Sequence, residues 1–188
     1  TNCRKKYPER TVNSIYFDTL SLKSAVDNLD GINDRKKHRV RWYGEDTGTL
    51  IAPILENKIK KNFQGNKILY KLDKFNQKKL SNDILFNLTE DINKLLPLKN
   101  LQPVSMTSYR RVYLISADRK IRATLDFDLK YKKMINYIEK FFINTNNIIL
   151  EFKYSSNLDN YLRNLIPGIT RLSKNSKYIN SLLTNNFY

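Results

Sequence analysis

The sequence predicts an α+β fold in which antiparallel strands dominate and the sheet curves strongly or closes into a barrel. Three observations carry this. Several segments alternate apolar and charged residues, the period of a strand with two different faces. Short polar turns separate them, and such turns join antiparallel neighbours. Helical spacing is confined to a few stretches, enough for flanking helices only. The 188 residues contain no internal repeat and no long flexible linker, so residues 1–188 form one domain with a sizeable core.

Along the chain, "VNSIYFDT" (12–19) reads as a strand whose closing Asp18 and Thr19 can cap the next element. "LSLKSAVDNLDG" (20–31) reads as a short helix with Leu22, Val26 and Leu29 on one side. "HRVRWYG" (38–44), "TLIAPILENKIK" (49–60) and "NKILYKL" (66–72) form a meander around polar turns. Residues 76–96 space Leu80, Ile84, Leu88, Ile92, Leu95 and Leu96 as a helix does. "LQPVSMTSYRRVYLIS" (101–116) is a long, bent strand; the turn "ADRK" leads to "KIRATLDFDLKYKK" (120–133), and "NIILEFKYS" (147–155) comes next. Helical patterns at 157–166 and 176–185 surround "IPGITRLSKNS".

The charge is lopsided: 34 Lys+Arg against 18 Asp+Glu give +16. That field suits a polyanion, whether nucleic acid, anionic lipid or phosphate-rich small molecule. The single Cys3 and single His38 exclude a disulfide within the chain and a cysteine or multi-histidine metal cluster. No apolar run is long enough to span a bilayer and no signal peptide is visible, so an intracellular setting is expected. The opening Thr1 is what a fragment of a longer protein would show.

Charge and strand period coincide. In "HRVRWYG", His38, Val40 and Trp42 share one face, and Arg39, Arg41 and Tyr43 the other. Elsewhere Glu56, Lys58 and Lys60 oppose Leu55 and Ile59; Tyr109, Arg111 and Tyr113 share a face; and Arg122, Thr124, Asp126 and Asp128 oppose Ile121, Ala123, Leu125 and Phe127. Glu151 and Lys153 oppose Leu150 and Phe152. Two readings stay open on this ground. Either the charged face meets water, or it lines a tunnel that binds a dense anion such as a phosphate chain. Like charges crowded in an empty tunnel repel, and arginine's planar fork suits phosphate oxygens. Tyr16, Trp42 and Tyr43 read as packing residues.

In order, "SIYFDT" (14–19), "RVRWYG" (39–44), "LENKIK…GNK" (55–67), "SYRR" (108–111), "IRATLDFDL" (121–129), "LEFK" (150–153) and "SKNSKY" (173–178) resemble the catalytic domain of the vacuolar transporter chaperone (VTC) family. That family belongs to the triphosphate tunnel metalloenzymes, related to CYTH domains. The resemblance implies an eight-stranded antiparallel tunnel barrel and polyphosphate synthesis from ATP with Mn²⁺ or Mg²⁺. Carried over by position, it implies catalytic roles for Arg39, Arg41, Lys58, Arg111, Arg122 and Lys153. It implies substrate binding by Lys67, Tyr109, Lys174, Ser176 and Lys177, and metal binding by Glu151. Glu56 is a candidate second carboxylate near the metal. The implied ligands are ATP and inorganic polyphosphate, with no DNA. A cytoplasmic site is implied, with attachment to a membrane partner protein left open. Family members carry a further basic strand and helix upstream of "SIYFD"; the expectation here is that this first strand is missing and that Lys5 and Lys6 lie in a connecting loop. Triphosphate hydrolysis and non-catalytic binding of polyphosphate or RNA are the alternative functions.

Overall fold

The computed structural model describes residues 3–61, 64–96, 100–135, 138–165, 173 and 175–184. Strand β1 is Cys3–Asp18 and helix α1 is Lys23–Leu29. Next come β2 (Arg35–Tyr43), β3 (Thr49–Leu50), β4 (Ile54–Lys61), β5 (Gln64–Lys71) and β6 (Lys78–Lys79). Helix α2 is Asn82–Leu95, followed by β7 (Gln102–Ser116), β8 (Arg122–Ile135), β9 (Ile138–Thr145) and β10 (Ile149–Lys153). Helices α3 (Asp159–Leu165) and α4 (Lys177–Leu183) come last.

The main sheet is antiparallel, in the order β10-β8-β7-β1-β2-β4-β5, with β9 paired to β8 and β3 to β6 in a separate ribbon. This is the expected α+β class. The sheet curls so far that Lys67 of β5 and Glu151 and Lys153 of β10 line one cavity, although they come from opposite ends of the order. Among the described residues, no hydrogen-bonded ladder joins β5 to β10.

Strand alternation sorts the two faces. Ile15, Phe17, Val40, Trp42, Leu55 and Met106 pack with Leu85, Leu88 and Ile92 of α2 in the main core, all fully buried. Burial of this kind contributes about 1.5–3 kcal/mol per large apolar side chain. The opposite face carries the charge.

Several boundaries differ from the sequence-based expectation. Lys5 and Lys6 belong to β1, which starts at Cys3 and pairs with the far end of β7, Cys3 lying opposite Ser116. "CRKKYPER" hides this strand because it does not alternate. The register shifts between Tyr7 and Arg10, and that irregularity accommodates Pro8, which has no N–H to give a ladder. Pro53, with Ala52 at φ 42°, likewise divides 49–60 into β3 and β4. Helix α1 turns differently from its apolar spacing: Val26 and Leu29 are exposed, while Ser24 and Ala25 are buried. The cause is Asp18, whose carboxylate accepts from the backbone N–H groups of Ser24 (2.9 Å) and Ala25 (3.0 Å). Thr19 Oγ1 accepts from Lys23 N–H, so Asp18 and Thr19 do cap the helix. Helix α2 starts at Asn82 because Ser81 caps it, accepting from Ile84 N–H. Strand β9 has no counterpart among the strands expected from sequence.

A basic cavity on the charged face as candidate functional site

With Val40 and Trp42 fixed in the core, strand geometry sends Lys37, Arg39 and Arg41 of β2 to the other face. Register then builds rows across the sheet. Lys37 lies opposite Lys58, and Lys58 opposite Lys67, so three lysines stand side by side on β2, β4 and β5. Directly opposed like charges destabilise a sheet by about 0.2–1 kcal/mol each. The adjacent row is compensated: Arg39 lies opposite Glu56.

Two buried carboxylates organise the cations. Glu56 accepts from Arg39 Nε (2.7 Å) and pairs with Arg41 Nη2 (2.6 Å) and Lys67 Nζ (2.7 Å). Burial works to raise its pKa, but Arg39, Lys67 and Arg41 outweigh it and hold the carboxyl below the usual range. Asp126 of β8 accepts from Arg111 Nε and Nη2 at 2.5 and 2.7 Å and pairs with Lys177 Nζ at 2.5 Å. Planar two-point pairing fixes the Arg111 guanidinium in place.

Helix α4 closes one side. The Tyr178 hydroxyl donates to Asp18 Oδ2 (2.6 Å), and its ring stacks on Tyr16 with centroids 5.0 Å apart. The helix thereby brings Ser176 and Lys177 to the charged face. Lys37 Nζ donates to Ser176 Oγ (2.9 Å), and Lys177 Nζ lies 4.6 Å from the Tyr109 ring centroid. Burial, then Arg39, Lys58, Arg35 and Lys177, lower the Lys37 pKa to about 8. Loss of surrounding water, then Lys153 and Arg39, lower that of Lys58 as well. Burial pushes the Tyr109 hydroxyl up.

These groups surround a cavity of about 340 Å³. Its walls carry eight cations, Lys37, Arg39, Arg41, Lys58, Lys67, Arg111, Lys153 and Lys177, and two carboxylates, Glu56 and Glu151. Of the residues selected from sequence, Arg39, Arg41, Lys58, Lys67, Tyr109, Arg111, Glu151, Lys153, Ser176 and Lys177 come together here. Arg122 instead lines an adjoining space of about 250 Å³, which shares Arg111, Glu151 and Lys153 with the cavity. Lys174 lies outside the described residues. Sequence reasoning missed Lys37 and Asn175 as wall residues and Asp126 as an organising acid. For Lys37 the signal was there, two positions before Arg39 on the same strand face.

Glu56, held by three cations, is not free for a metal. Glu151 is: its side chain is 48% exposed and its ion-pair contact, to Lys153 Nζ, is 3.5 Å. Among the described residues, no three His, Cys, Asp or Glu side chains gather as a metal cage. The donor set suits a cation held by one carboxylate together with phosphate oxygens, the mode Mg²⁺ favours. Among the same residues, no helix is long and apolar enough to cross a membrane.

No curated protein matches the chain. A family model does: that of the VTC domain matches residues 2–185, nearly the whole length. With the charged face built as described and the match spanning all of its strands, the chain belongs to the VTC domain family.

Proposed function

We propose that the protein is a polyphosphate polymerase that transfers the terminal phosphate of ATP to a growing inorganic polyphosphate chain within the basic cavity, on the cytoplasmic side of any membrane partner. Family membership supports the activity class. The observation that carries the reading is the gathering of eight cations around one cavity, from five strands and α4, with only two carboxylates among them. Such a wall suits a ligand with several charges packed closely along its length.

The chemistry needs no protein nucleophile. A terminal phosphate oxygen of the acceptor chain attacks the γ-phosphorus of ATP, the new P–O bond forms, and the bond to the β–γ bridging oxygen breaks, releasing ADP. Catalysis is then positioning and charge neutralisation. Arg39, Arg41 and Arg111 offer planar forks to the equatorial oxygens; Arg111 is preset by Asp126, and Arg39 and Arg41 by Glu56. Lys58, Lys67, Lys153 and Lys177 supply point charges along the two chains. A divalent cation held by Glu151, when bound, would draw phosphate oxygens together and neutralise developing charge.

The test is incubation with ATP and Mn²⁺, with products resolved by gel. Acid-labile polymer is expected, and Glu151→Gln should abolish its formation without changing the melting temperature. Release of orthophosphate alone would assign the cavity to hydrolysis.

A further inference from the structure

Beyond the central cavity lies a larger groove of about 890 Å³ at the turn end of the β7–β8 hairpin. Five cations line it: Lys6, Arg119, Lys120, Arg122 and Lys153, with no carboxylate among its lining residues. It is continuous with the cavity through shared walls. Lys6, Arg122 and Lys153 also line the adjoining space, which in turn shares Arg111, Glu151 and Lys153 with the cavity.

The groove's cations are poorly compensated. Arg122 and Lys153 are directly opposed across β8 and β10, a like-charge pair in register. Glu151 reaches Lys153 at 3.5 Å only. Asp118, in the hairpin turn, is committed to the turn itself: it accepts from Ser116 Oγ and from Lys120 N–H. Arg119 adopts φ 62°, the left-handed conformation that turns the chain back at this point. Two aromatic residues, Phe152 and Tyr154, also line the groove. The Tyr154 hydroxyl donates to Asp159 at 2.6 Å, which ties this ring to the start of α3.

We infer that this groove is a second polyanion-binding segment, continuous with the cavity, that holds the part of an inorganic phosphate chain too long for the cavity. The inference rests on the proposed phosphate-chain function of the cavity. Its content is a length dependence: tripolyphosphate fills the cavity, and only longer chains reach Lys6, Arg119 and Lys120. Each cation reached releases counter-ions, so affinity and its salt dependence both grow with chain length.

The test is a triple variant outside the cavity: Lys6→Gln, Lys120→Gln and Arg119→Asn, asparagine being at ease in the left-handed region. Binding of tripolyphosphate, long-chain polyphosphate and a single-stranded RNA with a comparable number of phosphates is measured at several salt concentrations. Melting temperature serves as the check on folding. The expected result is about a tenfold loss of affinity for long-chain polyphosphate, a shallower salt dependence and unchanged tripolyphosphate affinity. The polymer made from ATP should also shorten. Unchanged long-chain affinity in the variant, or wild-type affinity that does not grow with length, would overturn the inference. So would RNA binding as tight as long-chain polyphosphate and equally lost, which would make the groove a nucleic-acid surface. Failure of the wild type to bind tripolyphosphate would instead remove the function proposed for the cavity, a result distinct from the loss in the groove.

Discussion

Arg111 and Asp126 face each other across β7 and β8 in a two-point ion pair, with Nε 2.5 Å from Oδ1 and Nη2 2.7 Å from Oδ2. The carboxylate is almost fully buried and also meets Lys177 Nζ, so one acid joins the sheet to the last described helix. Replacing it by the isosteric Asp126→Asn leaves two cations facing a neutral amide. Removing one partner of a buried pair is strongly destabilising, and a loss of about 3 kcal/mol is expected in urea unfolding.

Glu56→Gln removes the counter-charge of Arg39, Arg41 and Lys67 together. The ligand-free variant should unfold at lower temperature, and tripolyphosphate should raise its melting temperature more than that of wild type, because the anion replaces the lost charge. The acid limb provides a second readout. The folded pKa of Glu56 is depressed, so its stabilisation is present above the unfolded value of 4.5 and is lost as pH falls through the folded one. In the variant, that part of the pH dependence disappears.

Lys37 titrates near pH 8 in the ligand-free protein because burial and surrounding cations oppose its charge. A bound anion favours the ammonium form, so binding above pH 8 takes up a proton. Affinity for tripolyphosphate should therefore fall as pH rises from about 8 towards 10.5, and Lys37→Met should flatten this slope. Calorimetry in buffers of different ionisation enthalpy measures the proton uptake directly.

His38, on the core face of the same strand, has a pKa lowered to about 4 by burial, against an ordinary 6.5. Between those values the unfolded chain binds a proton that the folded protein does not. Stability should thus fall on acidification through this window, by about 3 kcal/mol once both values are passed. Urea unfolding at pH 7, 6 and 5, above the range in which Glu56 contributes, checks it, and His38→Gln should remove this part of the dependence.

Strand period made much of the charged face legible before any coordinates. Arg39 and Arg41 opposite Val40 and Trp42, and Asp126 on the face away from Ala123, come from alternation alone. What alternation lacks is register, which turns and bulges set and which decides who stands opposite whom. Nothing local says that Lys37, Lys58 and Lys67 form one row, or that Glu56 serves three cations. Glu56 therefore read as a metal candidate. Helix α1 misled for a similar reason: its apolar spacing competed with the Asp18 cap and lost. Strand β9 escaped because "YIEKFFINT" (137–145) does not alternate.

The lysine row across β2, β4 and β5 makes the folding equilibrium answer to the surroundings. A dense anion laid over those ammonium groups relieves their repulsion only in the folded chain, so its binding energy is added to stability. Beyond saturation, each tenfold rise in free ligand would contribute about 1.4 kcal/mol. If the proposed function holds, a protein short of phosphate chains would open more often and meet proteases sooner, so its lifetime would rise and fall with their supply.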